Sequence, residues 1–212
     1  MRIIVTAGPT REALDPVRFF TNASSGKQGY EIAQALVDAG AEVTLVSGPT
    51  QVEAPIGVEL IPVVSAQDML DAVMEEIETQ DVFISVAAVA DFKPTQHAQE
   101  KIKKSSEAIN LAMEPTPDIL MTVANWRAAQ QADLCLIGFA AETQDVVVNA
   151  EGKLTRKHLD VIIANDVSLE RAVFGGEENL VTFLYRDGVV RHYDWMSKYD
   201  VGEEIVRYLM EN

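Results

Sequence analysis

The chain has 212 residues, of which 33 are Asp or Glu and 17 are Lys or Arg, for a formal charge of −16 at a hydrophobic content of 48%. Such a composition supports a full apolar core, and so strong a negative charge argues against a nucleic acid as partner. No apolar run approaches the roughly 20 residues of a membrane-spanning helix, the start lacks a signal-peptide pattern, and the single Cys135 excludes an internal disulfide. The expectation is a cytoplasmic protein that handles small molecules, with no nucleic acid and no membrane involved.

Residues 3–7 predict a strand, and residues 26–39 carry Tyr30, Ile32, Ala33, Leu36 and Val37 at helical spacing before a capping Gly40. Strands follow at 41–46 and 58–63. Ser65 with Asp68 forms a capping-box pattern for a helix over 66–78, whose Met69, Leu70, Val73 and Ile77 share one face. A strand over 82–89, a helix over 117–130, a strand over 134–139, a helix over 144–159 and a strand over 161–164 continue the alternation. That order implies a parallel sheet covered on both faces. The segments 180–185 and 189–193 flank Asp187-Gly188, a hairpin signal, and a last helix carries Ile205, Val206 and Leu209. The fold class expected is α/β: a Rossmann-like, doubly wound, mostly parallel sheet with an antiparallel C-terminal hairpin, forming one domain over 1–212.

Two long connections interrupt this order, residues 8–25 and 90–106. In an open parallel sheet both lie beyond the strand C-termini, where ligands bind. The first ends in Asn22-Ala23-Ser24-Ser25-Gly26-Lys27-Gln28-Gly29, so hydroxyls and free amides meet at a helix N-terminus. Ser24 and Ser25 either hold an anion there or simply cap the helix. The segment is neither a Walker loop nor Gly-x-Gly-x-x-Gly, and Ser47-Gly48-Pro49 lacks the acidic residue that grips an NAD ribose. Seven of the 17 basic residues cluster as Lys93, Lys101, Lys103 and Lys104, then Lys153, Arg156 and Lys157. Converging on one crevice they would bind a triphosphate, and otherwise they are a solvated loop and a helix end. Asp91, at a strand end, is either a Mg²⁺ ligand or a turn residue. Phe139 is either a base-stacking ring or core, and Cys135 reads as buried packing.

Together these residues resemble the bacterial phosphopantothenate-cysteine ligase family, also called phosphopantothenoylcysteine synthetase. The similarity runs through Thr6-Ala7-Gly8-Pro9-Thr10-Arg11-Glu12, Leu14-Asp15-Pro16-Val17-Arg18, residues 22–29, Ala87-Ala88-Val89-Ala90-Asp91, Glu100-Lys101-Ile102-Lys103-Lys104, Pro117-Asp118-Ile119, Gly138-Phe139-Ala140-Ala141-Glu142-Thr143 and Ala164-Asn165-Asp166-Val167. Gln28 stands where Met is common. The resemblance implies CTP-dependent coupling of 4′-phosphopantothenate to cysteine through an acyl-cytidylate, with Mg²⁺, in a homodimer. It implies that Asn22 and the flap residue Lys101 are catalytic, and that Arg18, Ser24, Ser25, Gly26 and Ala88 hold the substrate or intermediate. Ser85, Val86, Ala87, Asp91, Lys101, Pro117, Asp118, Ile119, Leu120, Phe139, Lys153 and Lys157 would contact CTP, Asp91 would carry the metal, and residues at about 91–106 would form a flexible flap. Many such domains follow a flavin-dependent decarboxylase, fused or separate, so the chain is either a stand-alone ligase or the second half of a bifunctional protein, and no flavin is expected in this domain. The rival readings are an NAD(P)-dependent Rossmann oxidoreductase and a non-catalytic nucleotide sensor.

Overall fold

A computed structural model describes residues 1–104, 108–168 and 176–211. Its strands are β1 (Arg2–Ala7), β2 (Arg11–Ala13), β3 (Phe19–Thr21), β4 (Glu42–Ser47), β5 (Val58–Pro62), β6 (Val82–Ser85), β7 (Phe92–Pro94), β8 (Met113–Pro115), β9 (Cys135–Glu142), β10 (Val161–Asp166), β11 (Glu178–Asn179), β12 (Val181–Tyr185), β13 (Val190–His192) and β14 (Met196–Ser197). The α-helices are α1 (Lys27–Asp38), α2 (Ala66–Glu76), α3 (Ile119–Gln130), α4 (Val146–Arg156) and α5 (Lys198–Glu211).

One sheet runs in the order β13-β12-β10-β9-β6-β1-β4-β5. The six strands from β10 to β5 are parallel, and β12 and β13 join antiparallel at one edge. Successive side chains of a strand point to opposite faces, and the core divides accordingly. Ile4, Phe83, Leu136 and Ile162 face α2, α3 and α4 with Met69, Val73, Val123 and Leu154. Ile3, Val5, Ile84, Ile137 and Ile163 face α1 and α5 with Ile32, Leu36, Val201 and Ile205. Each fully buried aliphatic side chain contributes about 1.5–3 kcal/mol of transfer free energy, so both helical layers are held by the sheet they cover. The fold class is therefore the one expected.

Local signals hold as well. Ser65 and Asp68 exchange both capping-box hydrogen bonds, and the buried Glu12 carboxylate accepts a further bond from the Ala66 amide. In the C-terminal hairpin Gly188 adopts φ +89° and its amide donates to the Tyr185 carbonyl. Cys135 opens β9 at the sheet end remote from the loops that follow β1 and β6. Burial pushes its thiol up to about 12, with the Asp160 charge adding to the shift.

Three expectations need correction. The strand over 82–89 stops at Ser85, because the Val86 and Ala87 amides donate to the Thr6 hydroxyl instead of to a neighbouring strand. Beyond them Ala88 makes one isolated parallel bridge to Pro9, its amide donating to the Gly8 carbonyl and its carbonyl accepting from the Thr10 amide. The connection 8–25 contains the β2–β3 hairpin, and the connection after β6 returns through β8, which pairs with β7. The latter excursion therefore reaches past 106, to Met113–Pro115, with 105–107 outside the described residues. Helix α4 starts later than the spacing predicts, at Val146, after Asp145 takes a left-handed φ of 46°.

Candidate active site

The sheet changes winding direction between β1 and β6, and the loops leaving these strands, bridged to each other at Pro9 and Ala88, border a cavity of about 630 Å³. The volume suits a nucleotide-sized ligand. Close backbone approach builds the floor. A Cβ on Gly48 would fall 2.0 Å from the Pro9 carbonyl oxygen, and one on Gly29 would fall 2.5 Å from Ala7 Cβ, so α1 starts directly against the end of β1. Asn22 Nδ2 donates to the carbonyls of Ala88 (3.1 Å) and Val89 (3.0 Å), which ties the β3–α1 connection to the loop after β6. Both amide hydrogens of Asn22 are thus engaged, and the group it has left to offer a ligand is its carbonyl oxygen. Ser24 Oγ and Ser25 Oγ accept from the amides of Gly26 and Lys27, two residues on, and both serines border the cavity. The N-cap of α1 is Gly26, at a left-handed φ of 82° and with no side-chain cap, so the capping alternative is not the one formed.

The opposite wall comes from α3 and α4. Asp118 caps α3 by accepting from the Met121 amide, and it also pairs with Lys157 at 2.7 Å. Lys153, one helical turn before Lys157, pairs with Glu142 at 2.6 Å. Phe139 is half-buried between the cavity and the α1-side core, so it serves as a wall and as packing. Asp91 borders the cavity from the loop before β7, where its carbonyl accepts from the Thr116 amide. Asn165 borders it too, and its buried Oδ1 has no hydrogen-bond partner among the described residues.

The cavity thus gathers Asn22, Ser24, Ser25, Gly26, Ser85, Val86, Ala87, Ala88, Asp91, Pro117, Asp118, Ile119, Leu120, Phe139, Lys153 and Lys157. Arg18 and Lys101 lie outside its lining. They belong to a neighbouring assembly centred on buried Asp15, whose carboxylate accepts from the amides of Val17, Arg18 and Ile102 and from the Arg18 guanidinium. The guanidinium holds this carboxyl well below the usual range, although burial opposes the shift. Arg18 also donates to the Ile102 carbonyl, so the peptide next to Lys101 is fastened at its amide and its carbonyl.

Four lysines border the cavity, Lys27, Lys153, Lys157 and Lys198, against two carboxylates, Asp91 and Asp118. Lys27, Lys153 and Lys157 are paired with Glu177, Glu142 and Asp118, so these cations are concentrated here in a chain of charge −16 but three of the four are already matched by a carboxylate. Lys198 and Asn179 carried no signal in sequence spacing, and Gln28 was marked only as part of the 22–29 segment. The only legible trace was the Ser197-x-x-Asp200 capping pattern at the start of α5, which the structure forms. Asp15 was within reach, since Asp followed by Pro is a common turn opening in which the carboxylate takes amides two and three residues on.

Residues 1–212 match a family described as the DNA/pantothenate metabolism flavoprotein C-terminal domain. The chain is 47% identical over 206 residues to the coenzyme A biosynthesis bifunctional protein CoaBC of Bacillus subtilis, covering 97% of this chain and 50% of that protein. The chain belongs to this family. It is 48% identical over 189 residues to the CoaBC protein of Vibrio cholerae, covering 88% of this chain and 47% of the relative, so it spans about half the length of these relatives. Among solved structures, the C-terminal domain of a CoaBC protein superposes with a TM-score of 0.82 at 42% identity, covering 98% of this chain and 93% of the other. A DNA/pantothenate metabolism flavoprotein from Streptococcus pneumoniae gives 0.84 at 26% identity, covering 100% and 99%. The two superpositions span nearly the whole chain, so the likeness is one of overall fold. No described helix is long and apolar enough to cross a membrane.

Proposed function

We propose that the chain is the phosphopantothenate-cysteine ligase domain of coenzyme A biosynthesis, joining 4′-phosphopantothenate to cysteine at the expense of CTP. The observation that carries this reading is the lysine-rich cavity at the winding switch of a chain that is 47% identical to a CoaBC protein. The α4 lysines and the α1 N-terminus supply charge and amide dipoles for a triphosphate. A base seated among Ser85, Val86, Ala87 and Phe139 would bring its exocyclic amine near the unsatisfied Asn165 oxygen, and Pro117, Ile119 and Leu120 close the same wall. The substrate carboxylate attacks the α-phosphate, pyrophosphate leaves, and the amine of cysteine displaces CMP from the acyl-cytidylate. Asn22 fixes the Ala88–Val89 backbone against which that intermediate lies, while Ser24, Ser25 and Gly26 face its phosphates. Arg18 and Lys101 approach from the Asp15 assembly and bring a further cation to the reacting phosphates.

Mg²⁺ fits the donor set. Asp91 and Asp118 are hard oxygen donors on the cavity, and no group of three metal-binding side chains occurs among the described residues. Mg²⁺ characteristically binds one or two carboxylates and completes its shell with phosphate oxygens and water, neutralising phosphate charge when bound. A homodimer would have a candidate surface in the exposed Val17, Phe19, Phe20 and Phe92, and the partner domain that the family resemblance implies is a flavin-dependent decarboxylase, for which the relatives, about half covered by this chain, have room.

The decisive assay is pyrophosphate release with 4′-phosphopantothenate and Mg²⁺, run with and without cysteine and with ATP replacing CTP. Multiple turnover that needs both cysteine and CTP supports the ligase. CTP binding without release in a folded protein would point instead to a nucleotide sensor.

A further inference from the structure

Lys198, the first residue of α5, is 7% exposed yet borders the cavity, together with Asn179 and Gln28. A buried ammonium has three hydrogens to satisfy and is costly to leave without a negative partner. Among the described residues its one hydrogen-bond acceptor is Asn179 Oδ1, at 2.8 Å. That amide is held in turn, since Asn179 Nδ2 donates to Gln28 Oε1 and Gln28 Nε2 donates to the Lys198 carbonyl at 3.0 Å. The three side chains form a closed ring joining β11, the first turn of α1 and the first turn of α5. The ring is rigid for a second reason, because α5 packs closely on α1: a Cβ on Gly202 would sit 2.7 Å from Ala35 Cβ.

The surrounding charges do not complete the ammonium's shell. Lys27 is occupied by Glu177, and the charges that act on Lys198 are Glu177 and Glu31, which favour its protonated form, and Lys27, which opposes it. Burial is the largest influence and lowers the Lys198 pKa. This end of the cavity therefore presents a desolvated, oriented cation with donors to spare, beside a helix start and opposite the paired lysines of α4.

We infer that Lys198 is a phosphate ligand of the cavity, its ammonium held by the Asn179–Gln28 ring so that the remaining hydrogens bind phosphate oxygens. The inference rests on the ligase reading, which supplies two phosphate-bearing substrates. The phosphate belongs either to the triphosphate, and so to the departing pyrophosphate, or to the phosphomonoester of phosphopantothenate. Because Lys198 is 7% exposed and its ammonium is preorganised, each contact there is worth more than the same contact on the surface.

The test is calorimetric titration of the intact chain and of Lys198→Met with CTP, with pyrophosphate and with 4′-phosphopantothenate, at several salt concentrations. Affinity should fall about tenfold or more for the nucleotide pair or for the phosphomonoester, and the arm that responds names the phosphate. The affected ligand should also lose part of its salt dependence, an outcome that a purely structural lysine would not produce. Asn179→Asp preserves size and sets a carboxylate against the ammonium, so it should weaken the same ligand even if Lys198→Met folds poorly. Unchanged affinities and salt slopes in folded variants would overturn the inference. Wild-type protein that binds pyrophosphate but never turns over CTP would instead overturn the ligase reading while leaving Lys198 open to the same titration.

Discussion

On the α4 side of the cavity both lysines already face carboxylates, Lys153 on Glu142 and Lys157 on Asp118, whereas on the α5 side Lys198 rests on the neutral amide of Asn179. The first arrangement is easy to maintain without ligand, because each charge has an opposite partner and the side chains of Lys153 and Asp118 are 37% and 50% exposed. Its cost comes on binding, when a phosphate must share or displace a carboxylate. The second keeps its whole charge for the ligand, and its cost is the burial of an ammonium during folding. A cavity that must bind an anion and then release a different one benefits from both kinds of site. The paired side exchanges partners readily, and the amide-held side defines position.

The largest expected effect lies outside both sides. Lys101 is exposed and clear of the cavity lining, yet its neighbour Ile102 is fastened to Asp15 and Arg18. If the cavity's own lysines sufficed for catalysis, Lys101→Gln would change little. We expect turnover to fall about 100-fold, the scale of losing one transition-state charge contact. Melting should stay within about 0.5 kcal/mol of wild type, as for exposed substitutions generally. Next comes the floor that both sides share. Asn22→Asp sets a carboxylate against the Ala88 and Val89 carbonyls, which should cost about 2 kcal/mol of stability and about tenfold in turnover, read by denaturant titration and by pyrophosphate release.

A smaller effect of opposite sign would sharpen the contrast between the two sides. Glu142→Gln frees Lys153 from its carboxylate, so CTP should bind about threefold more tightly, as expected from an ion pair worth under about 1 kcal/mol. Weaker binding would mean that Glu142 positions the lysine rather than competing with the ligand. The subtlest effect concerns acid. Asp15 has a folded pKa below its ordinary 3.8, so its contribution to stability is complete above about pH 4. It is lost as the pH falls from there through the folded value. Asp15→Asn should lower the melting temperature near neutrality and flatten the fall of melting temperature below pH 4, as followed by thermal melts across that range.

How much of this was legible in advance follows the range of the interactions involved. Sheet strands and helices carry their own periodicity, and Ile3, Ile4, Val5 and Phe83 sit on the faces that alternation assigns. The Lys153 and Lys157 pair announced itself because four residues on a helix make one turn. The end of β6 differs from its sequence pattern because an apolar run continues to Val89, while the hydroxyl of Thr6, distant in sequence, takes the amides that a strand would need. The three-residue strands β2, β3, β7 and β8 arise from pairing inside loops, where so few residues leave no pattern. Lys198 was silent for a related reason. A single lysine at the start of an amphipathic helix looks solvated until Gln28, 170 residues away, is seen beneath it.

Cys135, read from the sequence as buried packing, is half-buried against the α1-side core, and it has a practical value that this place does not suggest. The thiolate is the reactive form of cysteine, and a thiol raised to about 12 carries almost none of it at neutral pH. The chain's one cysteine, half-buried at the start of β9, should therefore label slowly in thiol-directed reactions near neutral pH. A second cysteine introduced at exposed Lys103 should be tagged faster than the native one, and a fluorophore there would report the position of the segment beside Lys101 as each substrate arrives.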